Sequence, residues 1–219
     1  MLSAAVVGLS LGISGCATPA PTAAPSSPAV TPTPTPTPTP VAEPELRVVL
    51  TTLSVDVYAD DVLTDSWVHT DRDPAEIPGL TEAFGSEPVV TETTQPGEGA
   101  PNTYQHYTWP GFDLYFIISE YGDKHVRVTA TAASVGDVAV EAVGGIRVGD
   151  DAQAIASAYP EYSSTVDFAD GLALRTGVDA VPSGIEGYDG PGADFVAVVA
   201  LEPFDVVTSL ATPSKNYGL

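Results

Sequence analysis

The chain has one cysteine, three histidines and seven lysine or arginine residues among 219. A single cysteine excludes an intrachain disulfide and leaves no Cys/His cluster from which a zinc site could be built. The histidines, His69, His106 and His125, stand far apart, with no pair at i, i+4 and no HExxH, so no metal is implied. Against the seven cations stand 29 acidic residues, giving a formal charge of −22. Nucleic-acid affinity comes from Lys and Arg displacing counterions, so this surface repels phosphate backbones and nucleic acid is excluded as a partner. Also missing is an apolar run of the ~20 residues needed to span a bilayer. No glycine-rich phosphate loop is present, because "VGGIRVGD" (143–150) lacks the lysine and the spacing, and no cofactor is implied. GxSxG occurs once, as "GLSLG" (8–12), within an apolar leader where no strand-turn-helix elbow can form.

What is there begins with an address. Residues 1–15 have the apolar core and small-residue ending of a secretory signal peptide. The opening "MLSAAVVGLS" carries no basic residue, which points to a start further upstream. "ISGC", Ile13 to Cys16, resembles the lipobox of bacterial lipoproteins. That resemblance implies lipidation of the Cys16 thiol, cleavage before it, and a membrane anchor on the extracytoplasmic face. A buried free thiol would need a foldable environment, which the following prolines forbid. From Ala17 to Pro44, 10 of 28 residues are proline, including "TPTPTPTPTP" (31–40). Residues 16–44 therefore read as the lipidated cysteine and a disordered Pro/Thr-rich linker, an extended polyproline II spacer.

After Glu45 the pattern becomes one of short strands. "LRVVLTTLSVDVY" (46–58) sets Leu53, Val55 and Val57 on one face by period-two alternation. "DLYFIIS" and "HVRVTATA" flank "EYGDK" as a β-hairpin near Gly122, and "DFVAVVAL" and "VVTSLA" flank "EPFD" as another. The second hairpin echoes the first: "PGFDLYF" (110–116) parallels "PGADFVA" (191–197), and "TEAFGSEP" (81–88) parallels "ASAYPEYS" (156–163). The expectation is an α+β chain of two tandem modules, 45–135 and 136–219, each a short helix packed on a small antiparallel β-sheet. In the second, Asp150 reads as the N-cap of a helix that Pro160 stops.

"IRVGDDAQAIASAYP" (146–160) resembles the strand-turn-helix opening of BamE-like lipoprotein domains and of the tandem β-lactamase-inhibitor-protein fold. The whole resembles exported lipoproteins of high-GC Gram-positive bacteria. The resemblance implies the same helix-and-sheet modules; the inhibitor's disulfides have no counterpart in a one-cysteine chain.

For chemistry, the acidic spots "YADD" (58–61), "TDRD" (70–73), "VGDD" (148–151) and "DFADG" (167–171) read as turns and caps, since none reproduces a calcium loop. The concentrated signal is aromatic: Tyr104, Tyr107, Trp109, Phe112, Tyr115, Phe116 and Tyr121 are 7 of 17 aromatics, within 18 residues. Alternation places Tyr107 and Trp109 on one strand face and Tyr104 with His106 on the other. Two uses follow, filling a seam between modules or forming an exposed binding patch. The candidate ligand or partner contacts are Tyr104, His106, Tyr107, Trp109 and Tyr115, with no catalytic residue assigned. The functional expectation is a lipid-anchored, non-enzymatic binding or scaffolding protein of the cell envelope, recognising a protein or glycan. The alternatives are a carboxylate-based envelope hydrolase and a purely structural spacer.

Overall fold

The alternation in residues 46–58 becomes β1 (Leu46–Leu50) and β2 (Ser54–Ala59), an antiparallel hairpin pairing Val48 with Val57 and Leu50 with Val55. All four side chains are buried. The turn between them is closed by Thr51, whose Oγ1 accepts from Ser54 N at 2.8 Å. Leu53 does not join Val55 and Val57, because it lies in this turn and is 57% exposed. The structure, a computed structural model, describes residues 43–69, 76–95, 101–118, 126–168, 171–187 and 190–216. The leader, Cys16, the Pro/Thr-rich segment up to residue 42 and His125 lie outside the described residues.

β3 (Val62–Val68) continues the antiparallel pairing on β2. Then comes α1 (Glu76–Phe84), with Pro78 in its first turn, where a missing N–H costs little. Leu80 and Phe84 fall one above the other at i, i+4 and are both buried. Gly85, at φ +62°, ends the helix. A meander follows of β4 (Val89–Gln95), β5 (Asn102–Trp109), β6 (Phe112–Ile118) and β7 (Val126–Ala130). The β5–β6 turn is Pro110-Gly111, with Gly111 at φ +82°, the order a type II turn demands. β8 (Ser134–Val135) and β9 (Val138–Ala142) return to the first sheet. α2 (Ala152–Ala158) and a 3-10 turn (Pro160–Tyr162) precede β10 (Ser163–Phe168), β11 (Gly171–Gly187), β12 (Gly190–Leu201) and β13 (Ser209–Asn216).

Among the described residues these strands form two sheets. One runs β3-β2-β1-β9-β8, with β1 and β9 parallel. The other has eight strands in the order β10-β11-β12-β13-β7-β6-β5-β4, antiparallel throughout. Its centre is the β13–β7 seam, where Leu210 faces Ala130 and Thr212 faces Val128. One apolar cluster joins Val48, Leu50, Val55 and Val57 of the first sheet with Leu114, Val128, Val196 and Leu210 of the second, and includes Leu80 and Phe84 of α1.

This architecture overturns the α+β expectation. Among the described residues thirteen strands stand against two short α-helices, so the fold is mostly β, and one apolar cluster draws on both sheets rather than each sheet lying under its own helix. Two ladders between distant segments account for the difference. β1 takes β9 as a parallel neighbour, so strands from either side of residue 135 share one sheet. β7 and β13 join the two meanders into one sheet instead of leaving two small ones. Apolar alternation marks a strand and its buried face but not its hydrogen-bonding neighbour. The segments "PGFDLYF" and "PGADFVA" do lie in comparable places, on β6 and β12, each one strand from the seam.

The helix cap also differs by one residue. Asp151, not Asp150, caps α2, its Oδ1 accepting from Ala154 N at 2.9 Å. Asp150 instead closes the preceding turn, its Oδ2 accepting from Arg147 N at 2.7 Å.

Candidate functional site: the outer face of the eight-stranded sheet

The pleat of β5 separates its aromatic residues. Trp109 is 1% exposed on the core side, where its Nε1 donates to Ser86 O at 2.8 Å and its ring meets Phe84 edge-on at 5.4 Å. Tyr107 is half-buried on the same side, packed edge-on against Phe116 at 5.8 Å, with its hydroxyl donating to Gln105 Oε1 at 3.1 Å. These two residues belong to the packing between the sheets.

Tyr104 and His106 point the other way. Ladder neighbours project to the same side of a sheet, so His106 meets Tyr115 of β6, and Tyr115 meets Arg127 of β7. Tyr104 stacks on Tyr115 at 5.3 Å with the planes 19° apart, and the His106 ring stands edge-on to Tyr115 at 4.7 Å. Asp113, the next outward residue of β6, brings Oδ2 to 3.5 Å from His106 Nδ1. Its other oxygen, Oδ1, is buried without a hydrogen-bond partner among the described residues. Burial pushes the Tyr115 hydroxyl pKa up and Tyr104 adds to this, while the Arg127 cation pulls it back. A hollow of about 250 Å³ lies over His106, Asp113, Tyr115, Arg127 and Thr129.

Across the seam the outward residues are small. Ala211 and Pro213 of β13, with Ala197 and Val199 of β12, floor a second hollow of about 290 Å³, walled by Arg127, Arg175 and Lys215. Arg175, on β11, lies with its guanidinium 4.9 Å from the ring centre of Phe195, a residue 3% exposed. Its pKa is pushed down, first by burial and then by the neighbouring Arg127 cation. A third hollow, of about 180 Å³, adjoins Arg175 and Phe195 and reaches Ser164 and Val166 of β10. Arg127 borders the first two hollows and Arg175 the last two, so the three lie side by side as a groove-like row across the sheet from β5 to β10, the last also lined by Glu161.

Sequence reasoning singled out the aromatic end of this groove and missed its cations. Of the seven Lys and Arg residues, Arg72 and Lys124 lie outside the described residues, which leaves five. Arg47 and Arg147 are bound to carboxylates: Glu141 takes Arg47 Nη1 at 2.7 Å and Arg147 Nη2 at 2.7 Å, and Asp61 takes Arg47 Nη2 at 3.0 Å. Arg127, Arg175 and Lys215 have no carboxylate within 4 Å among the described residues. The available signal was their parity, since each occupies an outward position of an alternating strand.

The Arg47–Glu141–Arg147 cluster borders a separate hollow of about 250 Å³ on the five-stranded sheet, where Glu45, Asp60 and Asp61 join Glu141 and carboxylates outnumber the two arginines. Among the described residues no three His, Cys, Asp or Glu side chains gather as metal ligands, and no helix is long and apolar enough to cross a membrane. No protein-family model matches the chain, and neither a search of curated proteins nor one of solved structures returned a match.

Proposed function

We propose that this is an exported binding protein of the cell envelope, anchored through lipidated Cys16, that recognises its partner on the outer face of the eight-stranded sheet without a bond-making step. The observation that carries the reading is the groove itself, which has aromatic residues at one end and, along its middle, three cations with no carboxylate within 4 Å among the described residues. A chain with −22 formal charge has carboxylates in abundance to neutralise three cations. Gathering them on one face with no carboxylate partner among the described residues favours a complementary partner over solubility. The sheet beneath is held by continuous ladders, so the side chains are preorganised, which lowers the ordering cost of binding. The Pro/Thr-rich segment supports the same reading, because an extended spacer lifts such a face from the bilayer.

Site-directed photo-crosslinking in intact cells tests this. A benzophenone side chain at Tyr104 is expected to give a defined adduct, and the same group at Asp65, exposed on β3, is expected to give none. Equal yields from both positions would overturn the reading. Intact-mass measurement of the membrane fraction tests the anchor, and an unmodified Cys16 would remove it.

A further inference from the structure

We infer that the groove binds a saccharide chain carrying acidic groups, with the acidic group seated between Arg127 and Arg175 and a neighbouring sugar against Tyr115 and Asp113. The inference rests on the reading of this face as a recognition surface and names the class of its occupant.

The charge comes first. Two guanidinium groups share a hollow of about 290 Å³ with Lys215, and no carboxylate among the described residues lines it. Guanidinium is the side chain best suited to bidentate contact with carboxylate, sulfate or phosphate oxygens. The floor of Ala197, Ala211 and Pro213 leaves the space between the two arginines empty where longer side chains would fill it. Arg175 is held for this role by Phe195, which itself lies flat across Gly177: a Cβ there would stand 2.8 Å from Phe195 Cγ.

The neighbouring hollow has the opposite demand. Asp113 borders it with a side chain 37% exposed, so the carboxylate can accept a hydrogen bond from the ligand, and a sugar hydroxyl provides one. Tyr115 lies beside it, offering aromatic surface to the apolar C–H face of a sugar ring. One molecule must therefore present an anion, a hydroxyl donor and an apolar face in succession.

A peptide meets these demands less well. The main-chain N–H and C=O groups of the inner strands are spent in their own ladders, so this face offers nothing to pair with a peptide backbone. A saccharide has no backbone amides to satisfy. The groove crosses six strand spacings from β5 to β10, about 29 Å at ~4.8 Å each, which accommodates an oligomer rather than a single sugar.

The test is calorimetric titration of the full-length protein in detergent with an oligogalacturonate, its fully methyl-esterified form, dextran sulfate and oligoglutamate. Binding of at least one of the two anionic saccharides is expected, with affinity falling as salt rises. The methyl ester is expected to bind tenfold or more weakly than the uronate, and Arg127→Gln to weaken binding about tenfold. Arg175→Gln should do the same; if it fails to fold, the exposed Arg127 and Lys215→Gln carry the comparison. Failure of both anionic saccharides, equal binding of the methyl ester, or oligoglutamate binding as tightly as the saccharides would each overturn the inference. If the Tyr104 crosslink persists while these probes fail, the ligand class is wrong and the recognition face stands. Loss of both removes the face as well.

Discussion

The guanidinium carbon of Arg175 stands 4.9 Å from the ring centre of Phe195, and the ring lies against Gly177 on the neighbouring strand. Only a residue without a side chain allows that approach, since an added Cβ would come within 2.8 Å of the ring. Gly177→Ala is therefore expected to destabilise the fold by about 1–3 kcal/mol, through displacement of a nearly buried ring. Urea denaturation measures this, and a change below ~0.5 kcal/mol would show that Phe195 gives way freely.

The two sides of β5 differ in what they contribute. Trp109 fills the core against Phe84 and Phe112, so Trp109→Ala is expected to cost about 3–5 kcal/mol. Tyr104→Ala removes an outward ring and is expected to cost ~1 kcal/mol or less. Comparing the denaturation midpoints of the two variants checks the assignment, and similar losses would contradict it. Only the Tyr104 variant is then a valid probe of binding.

Much of this was legible in the chain, and the divide follows a physical line. Period-two alternation placed Tyr104 and His106 opposite Tyr107 and Trp109, because side-chain direction is a property of the strand itself. The two hairpins read from 113–132 and 194–211 correspond to β6–β7 and β12–β13. The parallel β1–β9 ladder and the β7–β13 seam were not legible, since a backbone partner some 80 to 90 residues away leaves no mark on local pattern. The same reason hid the groove. Arg127, Arg175 and Lys215 each look like an ordinary solvated residue until the sheet order brings β7, β13, β12 and β11 side by side.

Glu141 is 4% exposed and carries two arginines, Arg47 on Oε1 at 2.7 Å and Arg147 on Oε2 at 3.0 and 2.7 Å. Burial raises its pKa, but the hydrogen bonds from Arg147 and Arg47 outweigh it, and the net shift is downward from 4.5. A folded-state pKa below the unfolded one gives stability that is present above 4.5 and lost as pH falls through the folded value. Glu141→Gln is expected to remove that acid-side slope and to cost about 1–3 kcal/mol at neutral pH, the lower part of the range for a broken pair because both arginines reach solvent. Urea midpoints against pH for the two proteins check this; an unchanged slope below 4.5 would refute it.

A second proton-linked contact joins the two sheets. His69 is 8% exposed, with Nε2 3.2 Å from Thr51 O and 3.4 Å from Thr212 Oγ1, while Thr212 Oγ1 itself donates to Thr51 O at 2.6 Å. Beside it, Thr52 N donates to Asp179 Oδ2 at 2.9 Å, where β11 bulges and Asp179 takes φ +55°. Burial lowers the His69 pKa below 6.5, so the unfolded chain binds a proton that the folded one refuses. Stability is thus full above 6.5 and declines as pH falls from there toward the folded value, a window above that of Glu141. His69→Asn is expected to flatten this decline; equal slopes between pH 6.5 and 5 in the two proteins would contradict it.

The central claim is that the outer face of the eight-stranded sheet is where this protein is engaged. Hydroxyl-radical footprinting of the protein in intact cells, compared with the purified protein, tests it most directly. The prediction is protection of Tyr104 and Tyr115 in cells, with Leu63 and Val62 on the exposed edge of the other sheet labelled equally in both. Equal labelling of Tyr104 and Tyr115 in the two samples, with protection confined to Val62 and Leu63, would contradict it.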